Sequence, residues 1–157
     1  MMSLHRLTLA GLMAAVLAPA LAPAAEPILT IQQGTESRQL TLAEIERSEA
    51  ARVTMRHFEG PEGTFDGVWL EDFLSDQGLE EAGRLRFTAR DDYTIFLTPE
   101  DRDDRDYLLA TRLDGEPISP EDLGPLMLIV PADAEAVLEG EAPMSHWIWA
   151  IREIQAP

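Results

Sequence analysis

Residues 63–74 decide the fold, and their sequence is Gly-Thr-Phe-Asp-Gly-Val-Trp-Leu-Glu-Asp-Phe-Leu. The first half of this stretch is typical of extended backbone. In the second half, Leu70, Phe73 and Leu74 recur at helical spacing and share one helix face. The stretch therefore predicts a strand that turns directly into a short helix, which ends before Gly78, a natural cap.

Several other short elements are predicted along the chain. Thr41 and Glu44 have the spacing of a capping box, which marks a helix start, and Pro99 before two acidic residues favours a helical turn. Asp114-Gly115 indicates a tight hairpin. Strands are predicted at residues 28–31, 51–58, 65–68, 85–89, 93–97, 107–113, 126–130 and 146–154. The fold class is therefore α+β, with mostly antiparallel or mixed β-sheets and two or three short helices.

The last predicted strand carries bulky apolar residues on both faces. One face presents Trp147, Trp149 and Ile151, and the other presents Ile148 and Ile154. A strand that is apolar on both faces is buried within a sheet, so we expect this one away from an edge.

The amino-terminal segment has the order of a secretory signal. A short basic head precedes apolar residues 7–17, and Ala22-Pro23-Ala24 matches a small-residue exit. We expect a signal peptide at residues 1–25, a single domain at residues 26–157 and a periplasmic or secreted location. The apolar run is shorter than the roughly 20 residues that span a bilayer, so no transmembrane segment is expected after cleavage. An uncleaved membrane anchor is the alternative.

The composition of the chain is strongly acidic. Twelve arginines and no lysine face 29 acidic residues, a net charge of −17, and loss of Arg6 with the signal leaves 11 − 29 = −18. Such a surface repels phosphate backbones, which argues against nucleic acid and anionic membranes as partners. The chain has no cysteine, which excludes disulfides, thiolate catalysis and cysteine-ligated metals.

Three blocks of the chain together resemble one family. Residues 63–74 are similar to a family stretch where a strand turns into a helix beside the cofactor. Residues 107–131 resemble a Leu-Leu-Ala segment followed by a glycine turn and an apolar strand, and residues 146–151 resemble the closing strand. Over residues 40–154, the chain resembles the oxidoreductase molybdopterin-binding domain of the sulfite oxidase superfamily. The resemblance implies a sulfite oxidase-like fold.

The chain departs from this family where the cofactor is held. In the family, a cysteine thiolate on an early strand ligates molybdenum, whereas residues 53–57 contain none, and Met55 marks the position of the lost ligand. Met127 replaces the family's pterin-contacting arginine, and the acidic residues 58–62 replace an arginine-rich segment. Binding a pterin phosphate needs positive charge or clustered N–H groups. We therefore expect no molybdopterin, no metal and no catalytic residue.

Polar residues at strand ends and turns would lie beside the cleft that the resemblance implies. They are His57, Arg90, Asp92, Tyr93, Arg112 and His146. One interpretation is a pocket for an anion or metabolite, with Arg112 as a fork-shaped donor. The other is local salt bridging and turn capping. Similarly, His57 is either a lone metal ligand or a packing residue, and the three tryptophans, Trp69, Trp147 and Trp149, form either a stacking surface or core.

A family framework with deleted ligands leads to a functional hypothesis. We expect an exported, non-catalytic protein that binds a small molecule or anion, or that assists a membrane-associated sensor or redox partner. One alternative is an active molybdopterin-dependent oxidoreductase, which would need a basic pocket. The other is a purely structural interaction module, which would show an exposed apolar patch and no cavity.

Overall fold

The computed structural model describes residues 24–157, so the signal peptide predicted at residues 1–25 lies, but for its last two residues, outside the described part. In chain order the elements are β1 Pro27–Gln33, β2 Glu36–Thr41, α1 Leu42–Ile45, β3 Ala50–Arg56, β4 Glu62–Trp69, α2 Leu70–Asp76, β5 Leu85–Ala89, β6 Thr94–Leu97, α3 Pro99–Asp104, β7 Leu108–Leu113, β8 Glu116–Pro117, β9 Met127–Ile129, α4 Ala134–Leu138 and β10 Ile151–Ala156. The predicted α+β class is confirmed.

Two five-stranded sheets build the domain. The first has the order β2-β1-β10-β5-β6, and the second has the order β3-β4-β7-β8, with β9 also paired to β7. Strand β10 pairs in parallel with β1, with Ile31 opposite Ile154, and antiparallel with β5. The other strand pairs among residues 24–157 are antiparallel, so the expected mostly antiparallel, mixed pairing is confirmed.

The strand-to-helix stretch forms as its sequence predicts. Strand β4 runs directly into α2, where Leu70 and Phe73 are buried and the Leu70 N–H donates to the Tyr107 carbonyl at 2.9 Å. Gly67 is required within β4, because a Cβ there would lie 2.2 Å from the Leu109 carbonyl oxygen. This close approach brings β4 against β7 and sets the centre of the second sheet.

The strand predicted at residues 146–154 is wrong in its first half. Regular pairing begins only at Ile151, and before it Ile148 makes an isolated antiparallel bridge to Leu128 of β9. Ala150 adopts a left-handed conformation with φ of +52°, which turns the chain out of the second sheet and into the first. The physical reason is that one apolar segment serves two sheets in succession. The expectation of burial holds for β10, which lies inside the first sheet.

Apolar side chains from both sheets form one core. Its largest members include Leu29 of β1, Phe65 of β4, Phe73 of α2 and Phe87 of β5, each almost fully buried. Met55 of β3 belongs to the same core. Within residues 24–157, no helix combines the length and the apolar character needed to cross a bilayer.

Candidate functional site

An aromatic cleft lies between the β5–β6 turn and the segment that precedes β10. Its volume is about 320 Å³. It is lined by Ala89, Asp91, Tyr93, Met144, Trp147 and Trp149, the residues that define the aromatic cleft throughout. Three aromatic rings, one thioether and one carboxylate therefore face a space large enough for a small metabolite.

The β5–β6 turn positions one wall of the aromatic cleft. The Asp91 carboxylate accepts a hydrogen bond from the Tyr93 N–H at 3.1 Å, and Asp92 adopts a left-handed φ of +68°. Aspartate suits both roles, because its short side chain can bond to backbone two residues on and tolerates this conformation. The turn fixes Asp91 and leaves the Tyr93 side chain 54% exposed.

The irregular segment before β10 positions the other wall. The backbone N–H of Trp147 donates to the Met144 carbonyl at 3.0 Å, and Ile148 exchanges backbone hydrogen bonds with Leu128. Trp147 is buried and Trp149 is half-buried. The two tryptophans thus pack in or against the core and also line the cleft. Both interpretations offered by the sequence, core residues and a stacking surface, therefore apply to them in part. Trp69 packs against the core.

His57 packs against both tryptophans and is not part of the cleft lining. Its ring centroid is 5.3 Å from that of Trp147 and 5.3 Å from that of Trp149, edge-on to the latter. The Nδ1 atom accepts a hydrogen bond from the Glu59 N–H at 3.1 Å. Burial lowers the pKa of His57 to about 4, so the ring is neutral at pH 7 and carries its proton on Nε2.

Two nitrogen atoms beside the aromatic cleft are buried without a hydrogen-bond partner. They are His57 Nε2 and Trp147 Nε1, neither of which finds an acceptor among residues 24–157. Most buried polar atoms in folded proteins are hydrogen-bonded. The other such atoms among residues 24–157 are Ser48 Oγ, Arg86 Nε and Thr88 Oγ1, so His57 and Trp147 are two of five residues with an unpaired buried side-chain atom.

A second, acidic cleft lies on another side of Trp147 and has a volume of about 210 Å³. Within it, the Tyr107 hydroxyl lies 2.9 Å from His146 Nδ1, and His146 Nε2 lies 3.9 Å from Asp101. Burial, with Asp101 nearby, raises the pKa of Tyr107 to about 12. Tyr107 therefore stays protonated and shares a hydrogen bond with His146, an arrangement that, with Asp101, ties the segment before β10 to α3.

Arg112 lies in a third place, on the second sheet. Its guanidinium makes a two-pronged contact with Glu46, at 2.7 Å from Nε to Oε1 and 2.9 Å from Nη2 to Oε2. Burial opposes ionisation of Glu46, but hydrogen bonds from Arg112 and Thr111 prevail and lower its pKa. The fork that was considered for an anion is thus occupied by a carboxylate of the protein.

The six predicted pocket residues do not line one cavity. Tyr93 lines the aromatic cleft and His57 packs against its tryptophans, whereas His146 lines the acidic cleft and Arg112 a groove beside Glu46. Arg90 is exposed, and Asp92 pairs with Arg152 at 2.6 Å. Salt bridging, the second interpretation of these residues, is therefore what the structure shows for Asp92 and Arg112.

Sequence reasoning did not place Ala89, Asp91 or Met144 at a site, although all three line the aromatic cleft. The Asp-x-Tyr spacing that lets Asp91 accept from the Tyr93 N–H was a usable signal. Met144 has no local signal, because its place depends on the path of the chain between α4 and β10.

Comparisons with known proteins agree with this architecture. Twenty-three chains of solved structures match, among them the sulfane dehydrogenase SoxCD from Paracoccus pantotrophus. That match has a TM-score of 0.57 and 19% identity over 82% of this chain and 37% of the SoxCD chain. The domain thus spans well under half of that chain, and at this identity the likeness concerns the fold. No curated protein sequence matches.

The sequence profile of one family also matches, and it covers most of the chain. The profile is that of the oxidoreductase molybdopterin binding domain, and the match runs over residues 25–137. It includes two of the three blocks that carry the resemblance, residues 63–74 and 107–131, and ends before the third at residues 146–151; the family resemblance is confirmed. This chain belongs to the family of oxidoreductase molybdopterin-binding domains.

Proposed function

We propose that this protein is an exported, non-catalytic member of its family that binds a small ligand in the aromatic cleft. The observation that carries the proposal is the cleft itself, in which Tyr93, Trp147 and Trp149 surround a space of about 320 Å³. Aromatic walls with a few polar groups are the usual lining of small-molecule sites.

The residues of this chain do not fit a molybdenum–pterin group. The sequence has no cysteine, so the soft thiolate that the family uses is missing, and Met55 is a neutral thioether within the core. The lining of the aromatic cleft includes one carboxylate and no basic side chain. A pterin phosphate placed there would meet a negative charge instead of the cations or N–H clusters that hold phosphates.

Arginines in the acidic cleft and in the groove beside Glu46 are engaged by carboxylates. Arg105 of the acidic cleft pairs with Asp133, and Arg112 pairs with Glu46. Within residues 24–157, no cluster of three or more histidine, aspartate or glutamate side chains is arranged to hold a metal ion. These features favour a scaffold that keeps the family framework and has lost the cofactor chemistry.

Export is the second part of the proposal. A basic head, an apolar run over residues 7–17 and a small-residue exit support cleavage near residue 25 and a periplasmic or secreted location. An exported binding domain suits an accessory role, in which the liganded protein is recognised by a membrane-associated sensor or redox partner. The strongly negative charge argues against nucleic acid as that partner.

Metal analysis of protein purified from its native host tests the cofactor part. We expect molybdenum far below one atom per chain, since no thiolate is present to hold it. Molybdenum at one atom per chain would end the proposal and favour an active molybdopterin enzyme.

A thermal-shift screen of the same protein tests the binding part. Small metabolites, pterins and oxyanions are compared in the native protein and in Trp149→Leu. A ligand at 100 times its Kd adds about 2.7 kcal/mol, which raises Tm by about 5 °C or more. We expect such a shift in the native protein and its loss in the variant. If no compound raises Tm, the domain is an interaction module.

A further inference from the structure

The chemistry of the aromatic cleft narrows the class of ligand, on the assumption that the proposed function holds. The cleft combines three aromatic rings, those of Tyr93, Trp147 and Trp149, with the thioether of Met144. The face of an aromatic ring carries a negative quadrupole and attracts a cation, most strongly at tryptophan. Thioethers are likewise soft and polarizable surfaces. Such a lining favours a positively charged group that is itself surrounded by carbon.

The only charged side chain in the lining is an anion. It is Asp91, an exposed residue whose carboxylate is held by the hydrogen bond that it accepts from the backbone N–H of Tyr93 at 3.1 Å. Arg152 donates to the Ala89 carbonyl at 3.0 Å and is paired with Asp92 at 2.6 Å, and it is not part of the lining. Arg90 is exposed and outside the lining. The cleft therefore presents a net negative charge.

The charge of the whole molecule acts in the same direction. With a net charge of −17 and no lysine, the surface raises the local concentration of cations and lowers that of anions. An anionic metabolite would meet both this field and Asp91, without a lining donor of positive charge. A neutral ligand would gain at most a hydrogen bond to Asp91 and would leave its charge uncompensated.

From these observations, we infer that the aromatic cleft binds a small organic cation of the alkylammonium class, with its methylated ammonium group against Tyr93 and Trp149 and its charge compensated by Asp91. An aromatic cage with one acid is the arrangement by which proteins recognise quaternary ammonium groups. A cleft of about 320 Å³ is of suitable size for an ion as small as choline.

Isothermal titration with choline and with 3,3-dimethylbutan-1-ol tests this inference. The alcohol has the same shape as choline, with a carbon atom in place of the ammonium nitrogen, so the pair differs in charge alone. We expect the full exported chain to bind choline about tenfold or more tightly than the alcohol. Binding of the alcohol as tight as or tighter than choline would overturn the cation class.

Variants of the lining locate the site. Tyr93→Leu should weaken choline binding roughly tenfold, and because Tyr93 is 54% exposed this variant is expected to fold. Asp91→Asn keeps an oxygen for the Tyr93 N–H and removes the charge, so it should weaken choline and leave the alcohol unchanged. Phe96→Leu is the matched control, an exposed aromatic residue under Arg84 on β6, and should bind as the native protein does.

The outcomes separate this inference from the function on which it rests. Choline binding that is unchanged in both Tyr93→Leu and Trp149→Leu overturns the inference, because the cation then binds elsewhere. If choline fails to bind while the thermal-shift screen finds another ligand that Trp149→Leu abolishes, the cation class is wrong and the ligand-binding function stands. If neither experiment finds a ligand, both fail.

Discussion

Arg102 and His57 are both buried polar side chains, yet their surroundings differ. Arg102 has its guanidinium surrounded by acceptors: Nε donates to Glu71 at 2.9 Å, and the other nitrogens donate to the carbonyls of Gly83, Ala82 and Glu80 at 3.1, 3.0 and 3.4 Å. His57 has one hydrogen bond, at Nδ1, and its Nε2 is buried without a partner among residues 24–157.

This difference separates a structural corner from a candidate site. The Arg102 corner joins α3 to the loop between α2 and β5, and its satisfied hydrogen bonds account fully for the buried charge. The region around His57 and Trp147 leaves donors unpaired, which costs free energy in the folded protein. The buried charge of Arg102 is thus fully paired, whereas Trp147, which lines the aromatic cleft, and His57, which packs against it, each keep a donor without a partner among residues 24–157.

Replacing Arg102 should have the largest effect on stability. Arg102→Met keeps the aliphatic volume and removes the charge, which leaves three loop carbonyls without their donor. We expect a loss of about 3 kcal/mol in the free energy of unfolding, measured by urea denaturation. Arg105→Met is the control, because Arg105 is 40% exposed and its ion pairs should contribute less than about 1 kcal/mol. Equal losses in the two variants would contradict the distinction.

Acidification tests the other side of the comparison. The pKa of His57 is lowered by burial to about 4, below its ordinary value, so between about pH 6.5 and 4 the unfolded chain binds a proton that the folded protein rejects. Stability must then fall as pH falls through this window. From pH 7.5 to 5, this one group should remove about 2 kcal/mol.

Urea midpoints at pH 7.5, 6 and 5 measure the His57 effect. His57→Asn is the matched variant, since its side-chain oxygen can still accept from the Glu59 N–H and does not titrate. The variant should be less stable than the native protein at pH 7.5. Its free energy of unfolding should change little between pH 7.5 and 5, because most carboxylates titrate below this range. If the stability of the native protein also changes little over this pH range, His57 is exposed to water or has a hydrogen-bond partner at Nε2.

The sequence predicted the elements that depend on local chemistry. The strand-to-helix change at residues 63–74, the capping box of Thr41 with Glu44, and the Asp114-Gly115 hairpin are all confirmed. In each case the deciding hydrogen bonds or side-chain spacing lie within a few residues. The family resemblance added the sulfite oxidase-like fold, which periodicity alone does not specify.

The site was less predictable, because its parts depend on contacts that are distant along the chain. The partner of Arg112 is Glu46, 66 residues away, and no local pattern links them. The aromatic cleft exists because the chain leaves the second sheet at Ala150, with φ of +52°, a conformation that alanine does not favour. Apolar alternation in this segment suggested a single strand, whereas tertiary pairing divided it between two sheets.

A smaller effect is expected in the acidic cleft, where the polar groups are paired. Tyr107→Phe removes the hydroxyl that lies 2.9 Å from His146 Nδ1 and should cost about 1 kcal/mol. A double-mutant cycle with His146→Ala should return a coupling free energy of the same order. Additive losses would show that the Tyr107–His146 contact contributes nothing in solution.

The smallest effect is expected at Arg112, whose contact with Glu46 is satisfied but only partly buried, with side-chain exposures of 33% and 25%. Arg112→Lys keeps the charge and loses the two-pronged geometry, so it should cost about 0.5 kcal/mol, and less at high salt because partly exposed charges are screened. The same variant should leave ligand binding in the aromatic cleft unchanged, since Arg112 lines a different groove. A loss of ligand binding in Arg112→Lys would mean that the Arg112–Glu46 groove and the aromatic cleft are coupled. The paired arginines could then no longer be treated as purely structural and separate from the candidate site.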